Sequence, residues 1–230
     1  MNVLQEVKRY WSSRAESFGT STLFSLQNGQ AQAWLRVLKE KLPQDRFLHI
    51  LDVGTGSGYF AILLARNGYM VTGIDITPAM IDQARKNAQT MKCTENTEFI
   101  IMDAQHPDFK EETFDAIVSR NVTWTLPDIS MAYNEWYRIL KPGGRLVNID
   151  ADYGRVCFAS KKDHPQKKEI SLEKLKECDV IKDSLEISKR IRPQWDVEFL
   201  MSIGMQCIVC EKDVRHRLTQ DDKCAIDDCA

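Results

Sequence analysis

The sequence predicts an α/β fold built on a doubly wound, mainly parallel sheet, and three observations carry that prediction. Strand-like and helix-like patterns alternate over residues 46–150. The first apolar run enters a glycine cluster, Gly54, Gly56 and Gly58, and a helical pattern follows at once. A carboxylate, Asp75, closes the next apolar run, 21 residues after Gly54.

Residues 1–45 precede the sheet as two helical stretches. Ala31, Trp34, Leu35, Leu38 and Leu42 form a core-facing stripe in the second, and the first sets Tyr10, Trp11 and Phe18 around Arg14. Strand-like runs then fall at 47–53, 69–75, 97–102, 113–119 and 145–150. Thr77-Pro78 reads as an N-cap with proline at the first helical position, and Met80, Ile81, Ala84, Ala88 and Met91 keep one apolar face. Pro127 opens another helix, with Ile129, Ala132, Trp136, Ile139 and Leu140 inward, and Lys141-Pro-Gly-Gly144 stops it.

Residues 151–192 break the rhythm. From 155 to 192 the chain holds eleven Lys/Arg against seven Asp/Glu, with a helix expected within 171–190. An insertion placed directly after the fifth strand overhangs the ligand edge of such a sheet, so it is a candidate substrate cap; a solvated charged face accounts for most of its charge. Residues 193–230 are expected to supply a helix and a sixth strand, 205–214, while the acidic end of the chain has almost no strand pattern.

Composition narrows the function classes. The chain has 230 residues, 43% hydrophobic and 28% charged, with a net charge of −2. It offers no basic field for a phosphate backbone, so a nucleic-acid partner is not expected. No apolar run approaches the ~20 residues of a membrane helix, and the opening residues lack a signal-peptide core, so no membrane partner and a cytoplasmic location are expected. The seven cysteines are scattered. Cys207 and Cys210 lie three apart in a strand-like run and so point to opposite faces, and no metal site is expected.

The glycine turn lets bare backbone N–H groups approach a ligand at a helix N-terminus, and Asp75 stands where a Rossmann-like unit binds a ribose diol. A ribose-bearing cofactor follows. The third glycine arrives one residue too early for the dinucleotide pattern, since position 59 is Tyr. Asp52, two residues before Gly54, stands where it meets a cationic amino group or orders the turn.

The string LDVGTGSG with the later GID resembles motifs I and II of class I S-adenosylmethionine (SAM) dependent methyltransferases, and Asp103-Ala104, FDAIVS and LKPGGRLV extend the likeness in order. It is nearest to the small-molecule "type 11" group. The resemblance implies that Gly54, Gly56 and Gly58 cradle the methionine portion of SAM. It further implies that Asp75 binds both ribose hydroxyls, that Ile76 packs on adenine, and that Asp103 and Ala104 recognise the adenine edge. Arg120 and Asn121 would line the cofactor–substrate junction. For Tyr10 and Arg14 two readings stand: a helix packing on the domain, or a lid in which Arg14 pairs the methionine carboxylate and Tyr10 nears the sulfonium.

The implied reaction is methyl transfer to an O, N or S atom of a small molecule. Asp150 and Tyr153, just past the fifth strand, are the candidate catalytic groups, against a capping or solvated role. The chain departs from the family in two places. Arg120-Asn-Val-Thr-Trp124 replaces the [D/N]-P-P-[Y/F] of amino methyltransferases acting on adenine, cytosine or glutamine, and the seventh strand is missing, atypical or supplied by a partner chain. An edge left unpaired would favour a homodimer. The positive insertion keeps an RNA or protein methyltransferase as an alternative, and the altered C-terminus a SAM-binding module without turnover.

Overall fold

The computed structural model describes residues 3–44, 48–160, 170–212 and 214–218. Five parallel strands lie in the order β3-β2-β1-β4-β5. They are β1 (His49–Val53), β2 (Met70–Asp75), β3 (Thr97–Ile101), β4 (Phe114–Arg120) and β5 (Leu140–Ile149). The expected doubly wound sheet is therefore present, and strand order reverses between β1 and β4. Ligands of such sheets bind beyond the C-terminal strand ends at that reversal.

Each helix starts where its sequence offers a cap or a fixed φ. Asn28 accepts from the Gln30 amide to open α2 (Gly29–Lys41), and Asp128 from the Met131 amide to open α5 (Ile129–Ile139). Pro78 sits in the first turn of α4 (Pro78–Thr90). Helix α3 (Tyr59–Ala65) is buried all round, as its uniformly apolar sequence requires. Ahead of them runs α1 (Val3–Gln27).

Two apolar cores cover the two faces of the sheet. Ile50, Ala116 and Val118 point to one, with α2, α3 and α4; Leu51, Val53, Phe114 and Ile117 point to the other, with α5. The second core also takes α6 (Leu172–Ser184) and α7 (Gln194–Ser202). Burial on both faces explains why these strands read as nearly unbroken apolar runs.

The insertion folds onto this second face. Asp179 on α6 accepts from the Phe158 and Ala159 amides at 2.7 and 2.9 Å, which ties the chain leaving β5 back to the helix. The helix expected within 171–190 is α6, which Ser171 caps and Ser184 ends, and a tight turn, Glu186–Lys189, follows. Residues 161–169, Phe47, Cys224 and Cys229 lie outside the described residues.

One expectation fails. Residues 205–214 form no strand among the described residues, and Cys207 adopts φ +54°, which an extended ladder excludes. Val209 is 82% exposed, and Cys207 and Cys210 are exposed. The segment is instead a strap. Met205 packs against the α5 core, while Val214 and Leu218, in α8 (Arg215–Leu218), pack against the α2 core. Glu211 bonds Lys41 at 2.7 Å and Arg217 at 3.1 Å, and Arg217 also bonds Glu40. The alternation of apolar residues signalled a strand, but beyond β5 no described strand is there to pair with it. No helix among the described residues is long and apolar enough to cross a membrane.

Trp136 on α5 is 1% exposed, and its indole donates to the Ala104 carbonyl at 2.9 Å. Trp136→Ala should cost about 3–5 kcal/mol in urea unfolding, from the cavity and the orphaned carbonyl together.

Candidate functional site

At the C-terminal end of β1 the chain turns through three left-handed glycines, with φ of +62°, +53° and +91° at Gly54, Gly56 and Gly58. A Cβ on Gly54 would lie 2.2 Å from the Val122 side chain, so this turn meets the loop after β4 with no room to spare. Gly56 differs: nothing lies within 4 Å of its would-be Cβ. The turn is thus tightly held beneath Gly54 and open above Gly56.

Two carboxylates hold it. Asp52 Oδ2 accepts from the Thr55 hydroxyl at 2.7 Å and from the Ala61 amide, in the first turn of α3, at 3.0 Å. Of the two roles open to Asp52, the geometry shows the ordering one. Burial pushes its carboxyl up to about 7, against the lowering pull of Thr55, Ala61 and Arg120. Asp75 Oδ2 accepts from the Gly56 amide at 3.0 Å, and Oδ1 from the Thr77 amide at 2.8 Å. Burial raises its pKa as well, opposed by those same amides. Ile76, half-buried, follows directly.

Helix α1 closes the turn from the other side. Thr22 and Ser57 share a hydroxyl–hydroxyl bond of 2.7 Å, Ser57 donates to the Phe18 carbonyl at 3.1 Å, and Asn87 donates to the carbonyls of Gly19 and Ser57. Gly19 permits this approach, since a Cβ there would meet Gln83 Oε1 at 2.4 Å. Arg14 and Tyr10 lie one and two turns nearer the N-terminus than Phe18. Tyr10 is buried edge-on to Trp11, with Lys174 of α6 over its ring. Arg14 stacks over Phe18 at 5.5 Å, and its buried Nε has no hydrogen-bond partner among the described residues.

Past β3, Asp103 Oδ1 accepts from the Gln105 amide at 2.9 Å, and the buried Ala104 gives its carbonyl to Trp136. Gln105, which the sequence did not mark, bonds the Asp128 amide at 2.7 Å and so links this loop to α5. Past β4, Asn121 takes φ +56° and its carbonyl accepts from the Trp124 indole at 3.0 Å. Arg120 lies beside the head of α3, near enough to Asp52 to pull its pKa down. Its guanidinium stacks over Tyr59, Phe60 and Trp34 at 4.6, 5.1 and 5.7 Å, on the α2–α3 face. Arg120 follows Ser119 by one residue in β4, and strand alternation sends it to the opposite face.

The structure also corrects the reading of Asp150 as a group facing the acceptor. Its carboxylate accepts from Thr123 Oγ1 and from the Ala151 amide, and stands 3.7 Å from Arg192 Nη1. Burial raises its pKa, with Arg192 and Thr123 pulling the other way. Tyr153 is 5% exposed and lies in an aromatic group, its ring 4.8 Å from Trp124 and 5.7 Å from Phe158. Among the described residues no group of His, Cys, Asp and Glu could hold a metal ion.

The cofactor named by the resemblance fits this arrangement. The open Gly56 backbone lies beside the Asp75 carboxylate, two acceptor oxygens for a diol, and the loops carrying Asp103 and Asn121 border the same strand ends. Residues 51–148 match the model of the family described as "Methyltransferase domain". An arsenite methyltransferase of Halobacterium salinarum is 32% identical over 105 residues, covering 44% of this chain and 26% of that protein. The ubiquinone/menaquinone biosynthesis C-methyltransferase UbiE of Desulfotalea psychrophila is 32% identical over 124 residues, covering 53% and 49%. The chain thus spans about half or less of the curated relatives it matches. Among solved structures, the phosphoethanolamine N-methyltransferase 2 of Haemonchus contortus, in complex with S-adenosyl-L-methionine, aligns with a TM-score of 0.57 at 23% identity, over 75% of this chain and 36% of that one. That likeness speaks to the fold.

Because Asp52 is held far above the ordinary 3.8 of an aspartate, the folded chain keeps a proton that the unfolded chain has lost. Its contribution therefore makes stability fall as pH rises from 3.8 to about 7. Asp75 and Asp150 act with the same sign. Asp52→Asn should flatten this slope in urea unfolding followed between pH 5 and pH 8.

Proposed function

We propose that this chain, whose residues 51–148 match the methyltransferase-domain model, is a class I SAM-dependent methyltransferase of the type-11 group and transfers a methyl group from SAM to an O, N or S atom of a small-molecule acceptor. The observation that carries the reading is the pairing of the Gly56 amide with Asp75 at the reversal of strand order, below an open stretch of backbone. Bound there, SAM supplies an electrophilic methyl on a positively charged sulfur that leaves with the bonding electron pair.

The chain's own residues bind and orient. Gly54, Gly56 and Gly58 keep side chains out of the way of the methionine portion, Asp75 receives the ribose hydroxyls, and Ile76, Asp103 and Ala104 border the adenine. Arg14, with its unpartnered buried Nε, is the group for the methionine carboxylate, and Tyr10 stiffens the helix that carries it. Residues 1–45 act as the lid, 46–150 as the cofactor core and 151–192 as the acceptor cap. The acceptor lies past β4 and β5, beside Asn121, Trp124 and Tyr153, where these rings exclude water. Holding it within about 3 Å of the methyl supplies much of the acceleration. An acceptor that carries a proton must lose it to a base, and the Asp150 carboxylate, bonded to Thr123 and facing Arg192, is not turned toward it; Tyr153 lines the same strand end as part of the aromatic wall.

Titration calorimetry tests the reading. Wild type should bind SAM and its demethylated product S-adenosylhomocysteine at micromolar concentration. Asp75→Ala should weaken both by roughly 10- to 100-fold, the loss of charge-assisted bonds to a diol. No binding to wild type would overturn the proposal.

A further inference from the structure

A buried polar seam runs along the α5 face. Arg192, just before α7, is its hub. Nε and Nη2 bond the two oxygens of Asp196 at 2.8 and 2.7 Å, Nη2 also bonds Thr123 Oγ1 at 2.7 Å, and Nη1 faces Asp150. The side chains of Arg192, Asp196 and Asp150 are 8%, 9% and 4% exposed. Thr123 completes the link by donating to Asp150, so one guanidinium joins three elements: the start of α7, the loop after β4 and the end of β5. Asp196 is fixed further by the Tyr133 hydroxyl at 2.7 Å, which accepts from Asn148 at 3.1 Å.

Thr123 is followed directly by Trp124. Its ring lies 4.8 Å from Tyr153, 5.5 Å from Phe158 and 6.4 Å from Trp11. These rings come from α1, the β4 loop and the insertion after β5, elements that ordinary chain connection does not hold in register. A planar guanidinium gripping a carboxylate through two parallel bonds is rigid, and a buried one more so.

We propose that Arg192 is a positioning residue for the acceptor side: through Thr123 and Asp150 it locks the loops leaving β4 and β5, and thereby holds Trp124 as the fixed wall of the acceptor pocket. The proposal rests on the reading that the acceptor lies past β4 and β5. It assigns Arg192 no contact with either reactant. Sequence outside the methyltransferase segment thus sets the shape of the half of the site that meets the acceptor.

The test uses the full chain as wild type, Arg192→Lys, Arg192→Met and Thr123→Val, each with and without Trp124→Phe. Acrylamide quenching of the fluorescence that Trp124→Phe removes reports how firmly that ring is held, and calorimetry with S-adenosylhomocysteine reports the cofactor half. Arg192→Met and Thr123→Val should make the Trp124 signal several-fold more quenchable, Arg192→Lys should restore most of the protection, and the dissociation constant should stay within about threefold throughout. Removing the guanidinium strands two buried carboxylates. Should Arg192→Met fail to fold, Thr123→Val, which leaves no unpaired charge of its own, decides the matter. Wild-type quenching in a cooperatively folded Arg192→Met or Thr123→Val overturns the proposal, and so does a loss of S-adenosylhomocysteine binding that accompanies the loosening. Failure of the wild type itself to bind S-adenosylhomocysteine would instead remove the methyltransferase reading, and the Trp124 contrast would still decide whether Arg192 holds the wall.

Discussion

The arrangement depends above all on two carboxylates, the buried Asp52 and the half-buried Asp75, holding one glycine turn. Three successive left-handed glycines have little reason to stay put, since glycine loses more conformational freedom on folding than any other residue. Asp52 fastens the turn from below to the head of α3, and Asp75 fastens it from the side through the Gly56 amide. Both carboxylates are desolvated against their own preference. The turn is therefore held by short carboxyl bonds that carry a standing desolvation cost, a compromise common at functional sites and rare in ordinary loops.

The two halves of the site are built by different physics. The cofactor half uses backbone amides and short-range bonds between residues close in sequence, from Asp52–Thr55 to Asp75–Thr77. The proposed acceptor half would use side chains far apart in sequence, gathered by the Arg192 guanidinium and faced with stacked rings. A fold can change the second set without disturbing the first, which is how one scaffold comes to serve many acceptors.

What could be read from the sequence follows the same division. The glycine turn, Asp75, the Pro78 start of α4 and the face of α5 are local signals of spacing and propensity, and the sheet follows from their alternation. Arg192 was not legible, because its partners Thr123 and Asp150 lie 69 and 42 residues away and only the folded chain brings them together. For the same reason Asp150 looked like a group facing outward when it is the buried partner of a cation. The stacking of Arg120 on Tyr59, Phe60 and Trp34 was not legible either, since it joins three elements that only the fold brings together. The strap was misread because apolar alternation looks the same whether or not a neighbouring strand exists to pair with it.

The bonds between α1 and the glycine turn bear on modularity. Ser57 and Asn87 lie inside the segment that sequence comparison recognises, yet both bond to Phe18, Gly19 or Thr22, which lie outside it. Excising residues 51–148 would strip Ser57 of its bonds to Thr22 and Phe18, cost Asn87 its bond to Gly19, and open one side of the glycine turn to water. The recognisable core is therefore not a portable cofactor cassette. A chimera built to redirect this scaffold would have to carry α1 along with it.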